Sequence, residues 1–160
     1  MSSTKLNGQL LLAWGSETGT VDQAQDDLCD RLRPLGVDVL SKELNDVTAD
    51  DIREANLTLI LVSSASGGEV PGNAEDFLSE MQDLAASDPK ALEGVRFVLF
   101  GFGDRTYDDT FQFGPLSIWK VMNDLGASPV MERGVGDAND DDGIEGTFDP
   151  FVEEFIEKFL

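Results

Sequence analysis

Short unbroken apolar runs alternate along this chain with apolar stripes at helical spacing, and few folds accept that order. Gln9-Leu10-Leu11-Leu12-Ala13-Trp14, Leu57-Thr58-Leu59-Ile60-Leu61-Val62-Ser63 and Val95-Arg96-Phe97-Val98-Leu99-Phe100 each run into a loop rich in glycine or serine. Runs of this kind read as strands buried on both faces. Val21, Ala24, Leu28, Leu32 and Leu35 recur at intervals of three and four, and Pro34 and Gly36 close that helix. Phe77, Leu78, Met81, Leu84 and Ala85 share a second helical face, which Asn73 is placed to cap. A third helix opens at Gly114-Pro115 and carries Ile118, Trp119, Met122 and Leu125. The last has Asp149 as its cap, Pro150 at its first position, and a stripe of Phe151, Val152, Phe155, Ile156 and Phe159. Shorter strands are expected at 37–40 and at 128–131, the latter followed by an acidic loop. With no internal repeat or linker, residues 1–160 read as one α/β domain: a doubly wound, five-stranded parallel sheet with helices on both faces.

Composition narrows the chemistry. The chain has 32 acidic and 11 basic residues, a formal charge of −21, no histidine and one cysteine. A hydrophobic fraction of 41% supports a packed core, so the acidity does not signal disorder. One cysteine cannot close an internal disulfide, and thiolate metal or iron–sulfur sites need several. The lack of histidine removes the Ser-His-Asp and Cys-His triads, most zinc sites and histidine-ligated haem. Nucleic acid and anionic membrane are disfavoured as partners, because both are recognised by basic clusters. No apolar run approaches the ~20 residues of a membrane span, and Leu10-Leu11-Leu12 is too short for a signal-peptide core. The expectation is a free, monomeric, cytoplasmic protein. Cys29, Trp14 and Trp119 read as packing residues, and Asp140-Asp141-Asp142 as a solvated loop.

Ligands of a doubly wound sheet gather at the carboxyl ends of the strands, near the switch in strand order. Three loops in those places are unusual. Gly15-Ser16-Glu17-Thr18-Gly19-Thr20 lies between a strand and a helix N-terminus. Its glycines let backbone N–H groups converge, its hydroxyls add donors, and the helix dipole favours an anion. That is a phosphate cradle made of neutral groups, although a turn with a good cap would have the same composition. Its glycine spacing and lack of lysine separate it from nucleotide-triphosphatase loops. The second loop, Ser63-Ser64-Ala65-Ser66-Gly67-Gly68-Glu69-Val70-Pro71-Gly72-Asn73, leaves a backbone free to approach a flat ligand edge. In the third, Gly101-Phe102-Gly103-Asp104-Arg105-Thr106-Tyr107-Asp108, Tyr107 can stack on a planar ligand or lie over the sheet edge.

In that order, and each after a strand, these loops resemble the flavodoxin family, including the FMN domains of diflavin reductases such as the sulfite reductase flavoprotein. The likeness runs from Leu10 to Leu160 and is of the short-chain type. Ser16-Glu17-Thr18-Gly19-Thr20 matches the family's phosphate loop, and Phe100 to Tyr107 its ring-binding loop. Gly134-Val135-Gly136-Asp137 is similar to the diflavin segment near the flavin. The resemblance implies non-covalent FMN, its phosphate held by Ser16, Glu17, Thr18, Gly19 and Thr20. The ring would then lie between Ser64, Ala65, Ser66, Gly67 and Gly68 on one side and the third loop on the other. Gly67 and Gly68 would bring backbone near the flavin N5, and Phe102, Gly103 and Asp104 would line the ring's polar edge. Tyr107 would stack on one face, with Asp108 beside it and Asp137 close by. In one respect the chain departs from the pattern: Ser66 stands where the family usually has an aromatic covering the other face.

The function implied is one-electron transfer through FMN. The partners expected are basic-faced redox proteins, with a flavin reductase as donor and a haem or iron–sulfur protein as acceptor. An acidic surround would disfavour negative charge on the reduced flavin and lower the potential of the second electron. Two other readings use the same fold. An NAD(P)H-dependent quinone or azo reductase lacks a basic cluster here for the nucleotide phosphate; a flavin-free interaction domain would follow from loss of the second stack. A phosphorylatable receiver needs acidic residues where this chain has Gly15-Ser16 and Ser64-Ala65. The charge of −21 suits docking to basic rims and equally suits adaptation to high salt. Since stacking on an aromatic contributes about 1–3 kcal/mol, Ser66→Tyr is expected to tighten FMN by about fivefold or more in a fluorescence titration.

Overall fold

The computed structural model describes residues 5–16, 19–64, 69–104 and 112–160. The apolar runs become strands β1 (Gln9–Gly15), β2 (Asp38–Glu43), β3 (Leu57–Ser63) and β4 (Arg96–Gly103), followed by the short β5 (Ser128–Pro129) and β6 (Gly134–Asp137). All are parallel, in the order β2-β1-β3-β4-β5, with β6 also paired to β4. The helices are α1 (Thr20–Leu32), α2 (Ala49–Glu54), α3 (Gly72–Ser87), α4 (Phe113–Asp124) and α5 (Glu145–Phe159).

Alternation along the central strands divides the core into two layers. Leu10, Leu12, Leu59, Leu61, Val98 and Phe100 face α1 and α5, while Leu11, Ala13, Ile60, Val62, Phe97 and Leu99 face α3 and α4. Burial on both faces is what made these strands continuous apolar runs. From β1 the chain goes outward to β2 and then returns to β3 on the other side of β1. This reversal opens a crevice above the carboxyl ends of β1 and β3. Cys29 is buried in the α1/α5 layer, and burial raises the pKa of its thiol. Trp119 packs edge-on against Phe97, with ring centroids 5.3 Å apart.

Three local expectations change. The fifth sheet position is filled by two strands in succession, and the segment read as an acidic loop begins with β6. Gly-Val-Gly has little strand propensity, but Gly134 and Gly136 lie under the Phe100 ring. A Cβ on Gly136 would come within 2.7 Å of that ring, and one on Gly134 would run into it. Phe100 meets Phe102, Phe148 and Phe151 at centroid distances of 5.0 Å each. Only a bare backbone can lie against that cluster, so tertiary contact overrides propensity.

Pro150 is the second case. It lies inside α5, which begins at Glu145, and the Phe148 N–H donates to Ile144 O at 2.8 Å in the first turn. The contacts of Phe148 with Phe100 and Phe102 hold this extra turn, although proline forfeits one helical N–H. The third is α2, which the periodicity did not signal. Its six residues are fixed by a capping box: Asp51 N–H donates to Thr48 Oγ1 at 3.1 Å, and Thr48 N–H to Asp51 Oδ2 at 3.0 Å.

The fit of β6 against Phe100 can be tested by adding one methyl group. Gly136→Ala is expected to cost about 1–3 kcal/mol in urea unfolding, as overpacking does. Adding Phe100→Leu to the same chain is expected to restore part of that loss.

Candidate functional site

The first loop is held by its ends. Ser16 N–H donates to Asn73 Oδ1 at 3.0 Å, and Asn73 Nδ2 donates to Glu43 Oε1 at 3.2 Å. Asn73 is therefore not the cap of α3, which starts at Gly72 after Pro71; it ties the end of β1 to the start of α3. Asn45 closes the same corner, donating to Gly72 O at 2.9 Å and accepting from Phe77 N–H at 3.1 Å. Ser16 Oγ accepts from Gly19 N–H at 3.2 Å and from Val21 N–H at 3.4 Å. Accepting twice leaves the Ser16 hydroxyl proton to donate outward. Gly19, just before α1, has φ +86°, with no atom within 4 Å of where a Cβ would be. Thr20 opens the helix, exposed.

A mononucleotide phosphate fits this corner. The Ser16 hydroxyl and the α1 N-terminus offer neutral donors there, while the Gly19 N–H is spent on Ser16 Oγ, and such a set favours an anion without a fixed cation. Glu17 and Thr18, expected in the same cradle, lie outside the described residues.

The two loops expected to hold a ring are fixed at their described ends by close backbone approach. Ser64 Oγ accepts from Gly114 N–H at 3.1 Å, tying the end of β3 to the first turn of α4. A Cβ on Gly114 would lie 3.0 Å from Glu69 O and 3.1 Å from Ser63 O, so only glycine fits there easily. Gln112, which precedes α4, is the one non-glycine with positive φ among the described residues, at +64°, and is 2% exposed. Its Nε2 donates to Gly101 O at 3.0 Å and to Gly136 O at 3.2 Å, bridging β4 and β6. Its Oε1 accepts from Arg133 at 3.2 Å. Burial lowers the pKa of that guanidinium. No carboxylate pairs with it among the described residues.

Of the other expected site residues, Gly103 ends β4 and pairs with Asp137 at the end of β6, and Asp104 follows half-buried. Asp137 is buried, and its Oδ1 accepts from Asn139 N–H at 2.9 Å in the turn beyond. The Phe102 ring turns away from the strand ends into the α1/α5 core, so its backbone alone remains at the crevice. Ala65, Ser66, Gly67, Gly68, Tyr107 and Asp108 lie outside the described residues. The structure thus brings Ser16, Gly19, Thr20, Ser64, Gly103 and Asp104 to the carboxyl ends of β1, β3 and β4. It adds Asn73, Gln112 and Arg133, which the sequence reading missed. A polar residue in a strand-end loop was the available signal for Asn73; the partners of Gln112 and Arg133 lie too far along the chain to leave one.

A parallel sheet whose strand order reverses, with a corner of neutral donors at the carboxyl end of β1, has the architecture of an α/β mononucleotide-binding domain. A family model for Flavodoxin matches residues 12–151, and the chain belongs to the flavodoxin family, whose cofactor is FMN. It is 31% identical over 158 residues to an NADPH-dependent diflavin oxidoreductase 1 of Aspergillus fumigatus, covering 94% of this chain and 24% of that protein. Methionine synthase reductase of Caenorhabditis elegans is 28% identical over 147 residues, covering 91% of this chain and 21% of that protein. The chain therefore spans about a quarter or less of these relatives. Among solved structures, the flavodoxin of Streptococcus pneumonia TIGR4 superposes with a TM-score of 0.70 at 28% identity, covering 94% of this chain and 99% of that one. Oxidised Flavodoxin 1 of Bacillus cereus, at 18% identity, shares the fold with a TM-score of 0.74 and coverage of 95% and 99%.

The Gln112 bridge separates two effects by substitution. Gln112→Ala and Gln112→Gly both orphan two strand carbonyls, and each is expected to cost about 1–3 kcal/mol in denaturant unfolding. Alanine is expected to cost roughly 1 kcal/mol more than glycine, because of the left-handed backbone.

Proposed function

We propose that this domain is an FMN-dependent one-electron carrier, working as a cytoplasmic monomer between a flavin reductase and a redox acceptor protein. The observation that carries the reading is the phosphate corner, built from Ser16, Gly19 and the α1 N-terminus and locked by Asn73. It holds an anion by direction rather than by countercharge, as a chain of charge −21 must if its surface is to stay acidic. Bound FMN supplies the redox chemistry, taking up and releasing electrons singly. The protein's part is to bind and orient it. Ser16 and the helix N-terminus fix the phosphate end, while Ser64 and Gln112 pin the loops proposed to embrace the ring. Of the untested site residues, Glu17 and Thr18 are proposed to complete the cradle. Ala65, Ser66, Gly67 and Gly68 are proposed for one side of the ring, Tyr107 and Asp108 for the other, and Asp137 for the rim. No histidine is required, because a proton taken up by the flavin can come from water.

A second reading, favoured by the length of the relatives, has the same domain serve as the FMN-carrying part of a larger reductase. Purified protein mixed with FMN should show flavin absorption bands with quenched fluorescence, and titrate in two separate one-electron steps. NADPH alone should leave it oxidised, whereas rapid reduction by NADPH alone would overturn the carrier reading. Electron transfer to a basic partner should slow as ionic strength rises. A rate that holds while stability climbs with salt would instead assign the acidity to salt adaptation.

A further inference from the structure

The outer face between α3 and α4 has a groove of about 610 Å³ that the carrier reading has not used. Its floor is apolar: Val70 and Leu78 lie along the α3 side, Phe113 and Leu116 along α4. Phe113 is 50% exposed and Leu116 38%, and they make up half of the four exposed large hydrophobics among the described residues. Spaced three apart, they share one helix face. An aromatic ring half in water at this position contributes little to the core, which Ile118, Val121 and Met122 already fill from the same helix.

The rim has the opposite character. Glu69 and Glu75 border the groove, and the exposed Asp76, Glu80 and Asp83 continue the negative charge along α3. Lys120, the one cation lining it among the described residues, pairs with Asp124 of its own helix at 2.6 Å, so its charge is already answered. An apolar floor inside an acidic rim selects a visitor with an apolar side chain flanked by lysine or arginine. A second copy of this chain fits poorly, since two chains of charge −21 repel.

Position gives the groove its meaning. Glu69 directly follows residues 65–68, and Phe113 comes two positions after residues 105–111, so the groove borders the chain just beyond both segments expected to flank the flavin ring. We propose that the α3/α4 groove is the docking site for a redox partner protein, which inserts an apolar residue against Phe113 and Leu116 and sets basic residues on Glu69 and Glu75. This deepens the carrier reading and rests on it. The two parts of the site act on different rates: the acids speed encounter, and the apolar anchors lengthen the life of the complex.

The test uses the full chain loaded with FMN, reduced chemically and mixed in a stopped-flow instrument with two oxidants. Cytochrome c, a basic haem protein, takes one electron from the flavin per molecule, its iron passing from ferric to ferrous; ferricyanide does the same without a protein surface. Phe113→Ser with Leu116→Ser is expected to raise the half-saturating cytochrome c concentration about tenfold, the effect of removing two modest anchors. Ferricyanide reduction and FMN affinity are expected to stay within about twofold of wild type. Glu69→Gln with Glu75→Gln should slow cytochrome c reduction at low salt and converge with wild type at high salt. An unchanged cytochrome c rate in the Phe113/Leu116 variant overturns the proposal. So does an equal loss toward ferricyanide, which would place these residues in the flavin site, or a wild-type dimer in sedimentation that the variant abolishes. Wild-type protein that reduces neither oxidant would refute the carrier reading itself, a result distinct from all of these.

Discussion

The rest of this structure depends on the burial of β3 and β4 on both faces. From Leu57 to Val62, and from Phe97 to Phe102, every residue is buried, and the two strands run in register between two helix layers. The middle of such a sheet has no room for a polar side chain that must reach a ligand. Chemistry is therefore confined to the strand ends, where Gly15, Ser63 and Gly103 release the backbone toward solvent. The reversal of strand order between β2 and β3 then makes one of those ends concave.

The second constraint is electrostatic. A protein of charge −21 that binds a phosphate works against its own field. The corner proposed at Ser16 would deal with this locally, because a hydroxyl and a helix N-terminus act over the length of a hydrogen bond. The surface field, by contrast, acts over a distance that salt sets. Binding and docking can thus take opposite signs in one small domain. Arg133 is the counterexample that marks the boundary: it is half-buried, and its one side-chain hydrogen-bond partner among the described residues is the neutral Gln112 amide.

The sequence disclosed whatever repeats at short range. The central strands, the stripes of α1, α3 and α4, and the Gly36 stop could all be read because each shows in a window of a dozen residues. What could not be read depends on distant partners. Gly134-Val135-Gly136 becomes a strand because the Phe100 ring, more than thirty residues earlier, needs a bare backbone against it. Asn73 looked like a helix cap, yet its amide serves Ser16 and Glu43. Pro150 looked like a helix start, until Phe148 extended the helix past it. At the strand ends, the polar and glycine-rich loops were visible as composition, while the Gln112 bridge was not, since its acceptors at Gly101 and Gly136 are backbone carbonyls.

The divided edge of the sheet has a consequence for how this molecule meets others. β5 is two residues long, and Pro129 has no N–H to offer outward; the bend after it breaks the line before β6 begins. The opposite edge, β2, carries Asp38, Lys42 and Glu43. A foreign strand therefore finds a discontinuous margin on one side and a charged one on the other, and cannot extend the sheet by adding to it. Polymerisation through the backbone is closed off, and encounters are left to the helix surfaces and strand ends, where contact is made by side chains and ends when they part.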